Sequence, residues 1–200
     1  MRIVLASGNA HKALELGRLL EGWQVETFAG GLPEETGETF IENARLKARH
    51  VHTALGGSSW VLADDSGIEA AALGGAPGVR SARYAGEDAT DAQNLAKLIA
   101  ALQGSGDRRV RYVAELVAID PDGAEVTARG ELTGTLADAP RGTGGFGYDP
   151  AFVPDGETRT VAEMRPEEKD AISHRARAAR ALLPLLREKT GSDPNFSGEA

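Results

Sequence analysis

The sequence predicts a layered α/β domain, and three patterns carry that prediction. The chain opens with an apolar run, a glycine turn and a helix-spaced segment, the order strand, turn, helix. A second helix signal then leads into another buried run, "WVLA", Trp60 to Ala63. Further on, two strand-like segments flank "DPDG", a strong hairpin turn, so at least part of the sheet is antiparallel.

Each element follows from its residues. Ile3 to Ala6 reads as a short buried strand, "SGN" as the turn, and Ala10 to Leu20 as a helix with Ala13, Leu16, Leu19 and Leu20 on one face. Thr39 with Glu42 forms a capping box for a second helix, whose Ile41, Ala44, Ala48, Val51 and Leu55 keep helical spacing up to Gly56 and Gly57. "WVLA" is the strand after it, and "LGGAPGVRSARYAGEDA" is a glycine-rich loop, too polar and irregular for a core element. Thr90 with Gln93 caps a third helix carrying Leu95, Leu98, Ile99 and Leu102, broken by Gly104 to Gly106. Val110 to Ile119 and about Glu125 to Leu136 form the hairpin, and "AFV" after the loop "APRGTGGFGYDP" is a further short strand. The last helix starts near Pro166, and Pro184 ends or kinks it. Residues 1–190 read as one domain, with 191–200 as a frayed tail.

Composition narrows the function. The 200 residues are 41% hydrophobic and 26% charged, which is ordinary for a folded domain, and 25 glycines point to many tight loops. A formal charge of -8 argues against non-specific binding to nucleic acid or anionic lipid, so an anionic ligand must be held by local cations or a metal. With no cysteine, disulfides and thiolate metal sites are excluded, which leaves Asp and Glu as the metal ligands. The N-terminus has too short an apolar run for a signal peptide or a membrane span, and a cytoplasmic protein is expected.

Several clusters could carry chemistry, and each admits a plain structural reading. "SGNAHK", Ser7 to Lys12, is either a phosphate cradle at a helix start or an ordinary cap with a solvated lysine. In "ADDSG", Asp64 and Asp65 stand just past a buried strand, where open α/β sheets place ligands; Mg²⁺ with a general base is one reading, a capped turn the other. Glu34, Glu35 and Glu38 either complete a metal site from a loop or favour the following helix start. "GTGGFGYD" contains a literal GxGxxG, but Pro140 precedes it and Pro150 follows, so it is no dinucleotide fingerprint. Phe146 and Tyr148 in it either stack on a base or pack at a turn. "KDAISHR" gathers Lys169, His174 and Arg175 as donors for oxygens, or as a solvated basic face. His50 and His52 do not face each other on a helix, which speaks against a zinc site.

"SGNAHK", "EETGETFIENARLKA", "ADDSG", "LGGAPGVRSARYAGEDATD", "GTGGFGYDP" and "EEKDAISHR" resemble, in this order, the motif series of the inosine/xanthosine triphosphate pyrophosphatase family, from about Ile3 to Leu186. The resemblance implies an elongated mixed sheet flanked by helices in two lobes, a nucleotide cleft between them, and a homodimer. It also implies Mg²⁺-dependent hydrolysis of ITP, dITP or XTP to the monophosphate and pyrophosphate. By matching motif, Ser7, Gly8, Asn9, Ala10, His11 and Lys12 would hold the triphosphate. Asp65 would be proton acceptor and metal ligand, Asp64 would support the metal, Ser66 would touch substrate, and Glu34 would be the second metal ligand with Glu35 as rival. Phe146, Gly147, Tyr148 and Asp149 would enclose the base, and Lys169, His174 and Arg175 would read its oxygen edge. The alternative is a Maf-type pyrophosphatase acting on pyrimidine or modified nucleotides, against which "FGYDP" and "SHR" speak. A nucleotide-binding protein without turnover would have no need of the paired aspartates.

Overall fold

The computed structural model describes residues 1–191; the tail expected at 191–200 lies, beyond Gly191, outside the described residues. The elements run β1 (Arg2–Leu5), α1 (Ala10–Leu19), β2 (Gln24–Thr27), α2 (Phe40–Ala54), β3 (Trp60–Ala70), α3 (Asp91–Ala101), β4 (Arg109–Ile119), β5 (Glu125–Leu136), β6 (Phe152–Pro154), α4 (Pro166–Ile172) and α5 (His174–Thr190). Short 3₁₀ turns lie at Ala71–Leu73, Gly78–Arg83 and Val161–Glu163. One mixed six-stranded sheet, ordered β2-β1-β3-β4-β5-β6, joins all the strands; β1 is parallel to β2 and β3, and the remaining pairs are antiparallel.

Both expected capping boxes form, Thr39 with Glu42 and Thr90 with Gln93. The hairpin turn is tight: Gly123 N–H donates to Asp120 O at 3.0 Å, and Gly123 takes φ 85°, which favours glycine. Strand alternation sorts the core. Leu62, Leu116 and Ala118 face α1 and α5, meeting Leu16, Leu20, Ala179, Leu182 and Leu186. Val61, Ala63, Val117 and Ile119 face α2, meeting Ala44, Ala48 and Val51. A third cluster packs Leu95 and Leu98 of α3 with Tyr112, Leu132 and Phe152.

Four expectations need correction. Strand β2 carries only one central apolar residue, Val25, and gave no periodic signal; its four main-chain partners on β1 make it a strand. Strand β3 does not stop at Ala63 but continues through the aspartates to Ala70, because β4 pairs with it along that whole length. The loop after β3 is partly helical and carries the buried Ser81, whose Oγ accepts from Ile68 N–H at 2.9 Å. Finally, Pro184 lies inside α5 without ending it, and the break falls earlier, at Ser173. Leu182 and Leu186 flank the proline and are fully buried; at about 1.5–3 kcal/mol each, their burial offsets the roughly 3 kcal/mol a helical proline costs. No helix among the described residues is long and apolar enough to cross a membrane.

Candidate active site

The crevice arises where β1 ends. Leu5 pairs with Leu62, Ala6 N–H donates to Leu62 O at 2.7 Å, and beyond that point β1 no longer pairs with β3, which runs on beside β4. The chain turns instead into α1, where Asn9 Oδ1 accepts from the N–H groups of His11 (2.9 Å) and Lys12 (3.2 Å). Ser7 Oγ accepts from Asn9 N–H at 3.1 Å and holds the turn. The aspartates therefore stand at a strand end, but that of β1 rather than their own.

Side chains alternate along a strand, so Asp64 and Asp65 point to opposite faces of the sheet. Asp64, fully buried, faces α1 and α5: Lys12 Nζ lies 2.5 Å from it, Arg175 Nε 2.8 Å, and Ser66 Oγ donates at 2.9 Å. Burial works to raise its pKa, but Arg175 and Lys12 overcome that and hold the carboxyl far below the ordinary range. Asp65 faces α2, where Lys47 Nζ donates to it at 2.6 Å, to Glu35 at 2.7 Å and to the Asp64 carbonyl at 2.9 Å. Here burial wins: with Glu35 adding to it and Lys47 and Lys12 opposing, the Asp65 carboxyl is pushed up to about 6. Burial likewise works to lower Lys47, yet Asp65 and Glu35 hold it above its ordinary value; Lys12 is lowered by burial despite Asp64.

The opposite wall comes from β4, the loop before β6, and α4–α5. Asp149 is buried and accepts from Phe146 N–H (2.9 Å), Tyr112 Oη (3.0 Å) and Lys169 Nζ (2.7 Å), so it fixes the loop instead of facing solvent. Tyr148 donates its hydroxyl to Ser81 O at 2.7 Å, and Asp91 accepts from Gly147 N–H at 2.7 Å. The break at Ser173 lets α5 start anew, with Ser173 Oγ accepting from Ala176 N–H at 3.1 Å, and this turns His174 and Arg175 inward. His174 stacks on Tyr112 at 4.6 Å; burial, with Arg175 adding to it, holds the imidazole well below its ordinary pKa and thus neutral. Its buried Nδ1 has no hydrogen-bond partner among the described residues. Glu15 of α1 ties this wall together by pairing with Lys169 at 2.6 Å and with Arg175.

Most of these groups, though not Asp64, Glu15 or Ser173, line one cleft of about 270 Å³, close to the size of a small-molecule site. Of the expected residues, Ser7, Gly8, Asn9, Lys12, Asp65, Ser66, Phe146, Gly147, Tyr148, Asp149, Lys169, His174 and Arg175 line it. Ala10 and His11 do not, and Asp64 lies beneath the lining, bound to two cations. Glu34 is exposed and outside; Glu35, the rival for its role, is the glutamate in the cleft, because Lys47 draws it in. Among the described residues no group of three His, Cys, Asp or Glu could hold a metal; Asp65 and Glu35, both paired with Lys47, are the cleft carboxylates that could share a cation. Lys47, Glu15 and Tyr112 were missed. The first two had a signal: each is a charge set beside the apolar stripe of its helix, next to Ala48 and Leu16.

A family model described as the Ham1 family matches residues 3–185. The dITP/XTP pyrophosphatase of Deinococcus deserti is 50% identical over 184 residues, covering 90% of this chain and 87% of that protein. Among solved structures, a HAM1 protein from Coxiella burnetii is 42% identical with a TM-score of 0.84, covering 94% of this chain and 99% of that one. The Ham1 protein of Staphylococcus aureus is 38% identical, also with a TM-score of 0.84, covering 94% and 100%. With the six motifs in order and likeness of this extent, the chain belongs to the Ham1 family.

Proposed function

We propose that this protein hydrolyses the deaminated purine nucleotides ITP, dITP and XTP to the monophosphate and pyrophosphate, removing them from the nucleotide pool. The observation that carries the reading is one cleft combining a phosphate-type helix N-terminus with Lys12, a carboxylate raised to about 6, and an aromatic wall edged by polar groups. The dITP/XTP pyrophosphatase name of the Deinococcus deserti relative supports it.

In this reading the N-terminus of α1 and Lys12 bind the triphosphate, supplying positive potential where negative charge accumulates. Asp65 accepts the proton of the water that attacks the α-phosphorus, and Lys47 holds its carboxylate in place. No side chain needs to become covalently attached, since phosphoryl chemistry depends on alignment and charge. Two carboxylates from the protein, with phosphate oxygens and waters, suit Mg²⁺, and Glu35 with Asp65 provides that pair. When bound, the ion would neutralise charge on the pyrophosphate leaving group. The base stacks against Phe146 and Tyr148, and His174 Nδ1 gains a partner from the base edge. Donors aimed at a 6-oxo group would be left unpaired by adenine, which discriminates by roughly 10⁴.

The deciding assay sets purified protein against ITP, dITP, XTP, GTP and ATP with Mg²⁺ and detects pyrophosphate. Fast release from the first three is expected; release of orthophosphate with IDP would overturn the proposal. We also infer a cytoplasmic location and, on the family resemblance, a homodimer, which cell fractionation and sedimentation test.

A further inference from the structure

The exposed ring of His11 stacks on Phe146, with centroids 5.1 Å apart and planes 15° from parallel. His11 sits in the first turn of α1 between Asn9 and Lys12, which both line the main cleft, yet it does not line that cleft. It lines a second cavity, of about 280 Å³, with Leu14, Arg18 and Met164. Phe146 borders both cavities, so its ring is the partition between them, and His11 stands behind it. Lys169 Nζ lies 4.7 Å from the ring centroid.

We propose that His11 is a positioning residue. It backs the Phe146 ring, so that the helix whose start receives the phosphates also sets the shelf on which the purine stacks. This inference rests on the purine triphosphate reading above and adds to it a physical link between the two ends of the substrate.

The loop needs such support. Gly142, Gly145 and Gly147 all take positive φ, and a chain so rich in glycine has little order of its own. Gly144 N–H donates to Ala162 O at 2.9 Å, and the bonds of Phe146 to Asp149 and Gly147 to Asp91 add two more ties. All three fix main chain; the ring itself meets two cations, Lys169 and Arg175 Cζ at 5.8 Å, and His11 is the aromatic ring stacked on it. A ring free to turn would have to be immobilised at each binding event, which weakens affinity. His11 removes that cost, because its own backbone is pinned by the cap at Asn9 and an aromatic pair contributes beyond the area it buries.

The test compares wild type, His11→Ala and His11→Phe on ITP, with inorganic tripolyphosphate, which has no base, as a competitive inhibitor. The alanine variant should raise KM for ITP about 2–10-fold and leave kcat within about twofold, while phenylalanine restores KM. The inhibition constant of tripolyphosphate should not change in either variant. An unchanged KM in His11→Ala, a failure of His11→Phe to restore it, or a tripolyphosphate constant rising in step with KM overturns the inference, the last by showing that His11 acts on the phosphate end. A wild type that releases no pyrophosphate from any purine triphosphate overturns the functional reading itself, a result distinct from these three.

Discussion

Asp64 and Asp65 are neighbours with opposite energetics. The folded protein favours ionised Asp64 between Lys12 and Arg175, and Asp64→Asn leaves two buried cations short of a partner, so a loss of about 3–5 kcal/mol is expected in denaturant unfolding. Asp65 is disfavoured as a charge, so Asp65→Asn should lower kcat by roughly 10²–10⁴ while the melting temperature at pH 8 stays level or rises. The pH dependences follow with their signs. A depressed folded pKa gives Asp64 a stabilising contribution that is present above its ordinary 3.8 and lost as pH falls below it. A raised folded pKa gives Asp65 a contribution present below 3.8 and lost as pH rises to about 6. In the metal-free protein, a carboxyl titration followed by NMR should place Asp65 near 6, and ionisation in the ordinary carboxylate range would show that burial and Glu35 do not outweigh Lys47 there. The sequence showed that these two carboxylates mattered. It did not show their division of labour, because that depends on Lys47 and Arg175, which lie 18 and 111 residues away from their partners.

Helix α5 reaches the site because β5 has a glycine beneath it. A Cβ on Gly130 would collide with the main chain of α5 at the His174 carbonyl and the Ala178 amide, and would lie 3.0 Å from the Arg177 carbonyl carbon. Backbone cannot swing aside as a side chain can. Gly130→Ala should therefore push the first turn of α5 outward, destabilise by about 1–3 kcal/mol, and weaken discrimination of ITP over ATP along with turnover. An alanine variant with wild-type stability and selectivity would show that α5 has slack. The helices and long strands were legible because caps, apolar periodicity and the "DPDG" turn are local signals. Strand β2, the extension of β3 and the break at Ser173 were not, since each is set by pairing or packing with distant chain.

In the assembled protein the acidic cleft is already neutralised from within. Lys47 bridges Glu35 and Asp65, Arg83 lies 3.5 Å from Glu35, and Lys12 and Arg175 hold Asp64. These pairs let the protein fold without a metal, so that a metal is expected to matter for turnover in the proposed reaction and not for folding. A chelator should abolish pyrophosphate release and shift the melting temperature by less than about 1–2 °C, whereas a structural metal site contributes folding energy outright and its removal would shift it far more. The order of motifs made the whole cleft legible in outline. Glu35 lines the cleft and Glu34 does not, for a reason no motif carries: the former is drawn in by Lys47.

The two faces of β3 also make the site sensitive to parity. One residue inserted between Trp60 and Asp64, with pairing to β4 kept, would turn the Asp65 carboxylate toward Lys12 and Arg175 and send that of Asp64 toward Lys47. A second insertion would turn both back. Along these few residues the strand behaves like a two-letter reading frame, in which an odd insertion swaps the faces and an even one restores them but leaves both carboxylates about 7 Å farther along the strand.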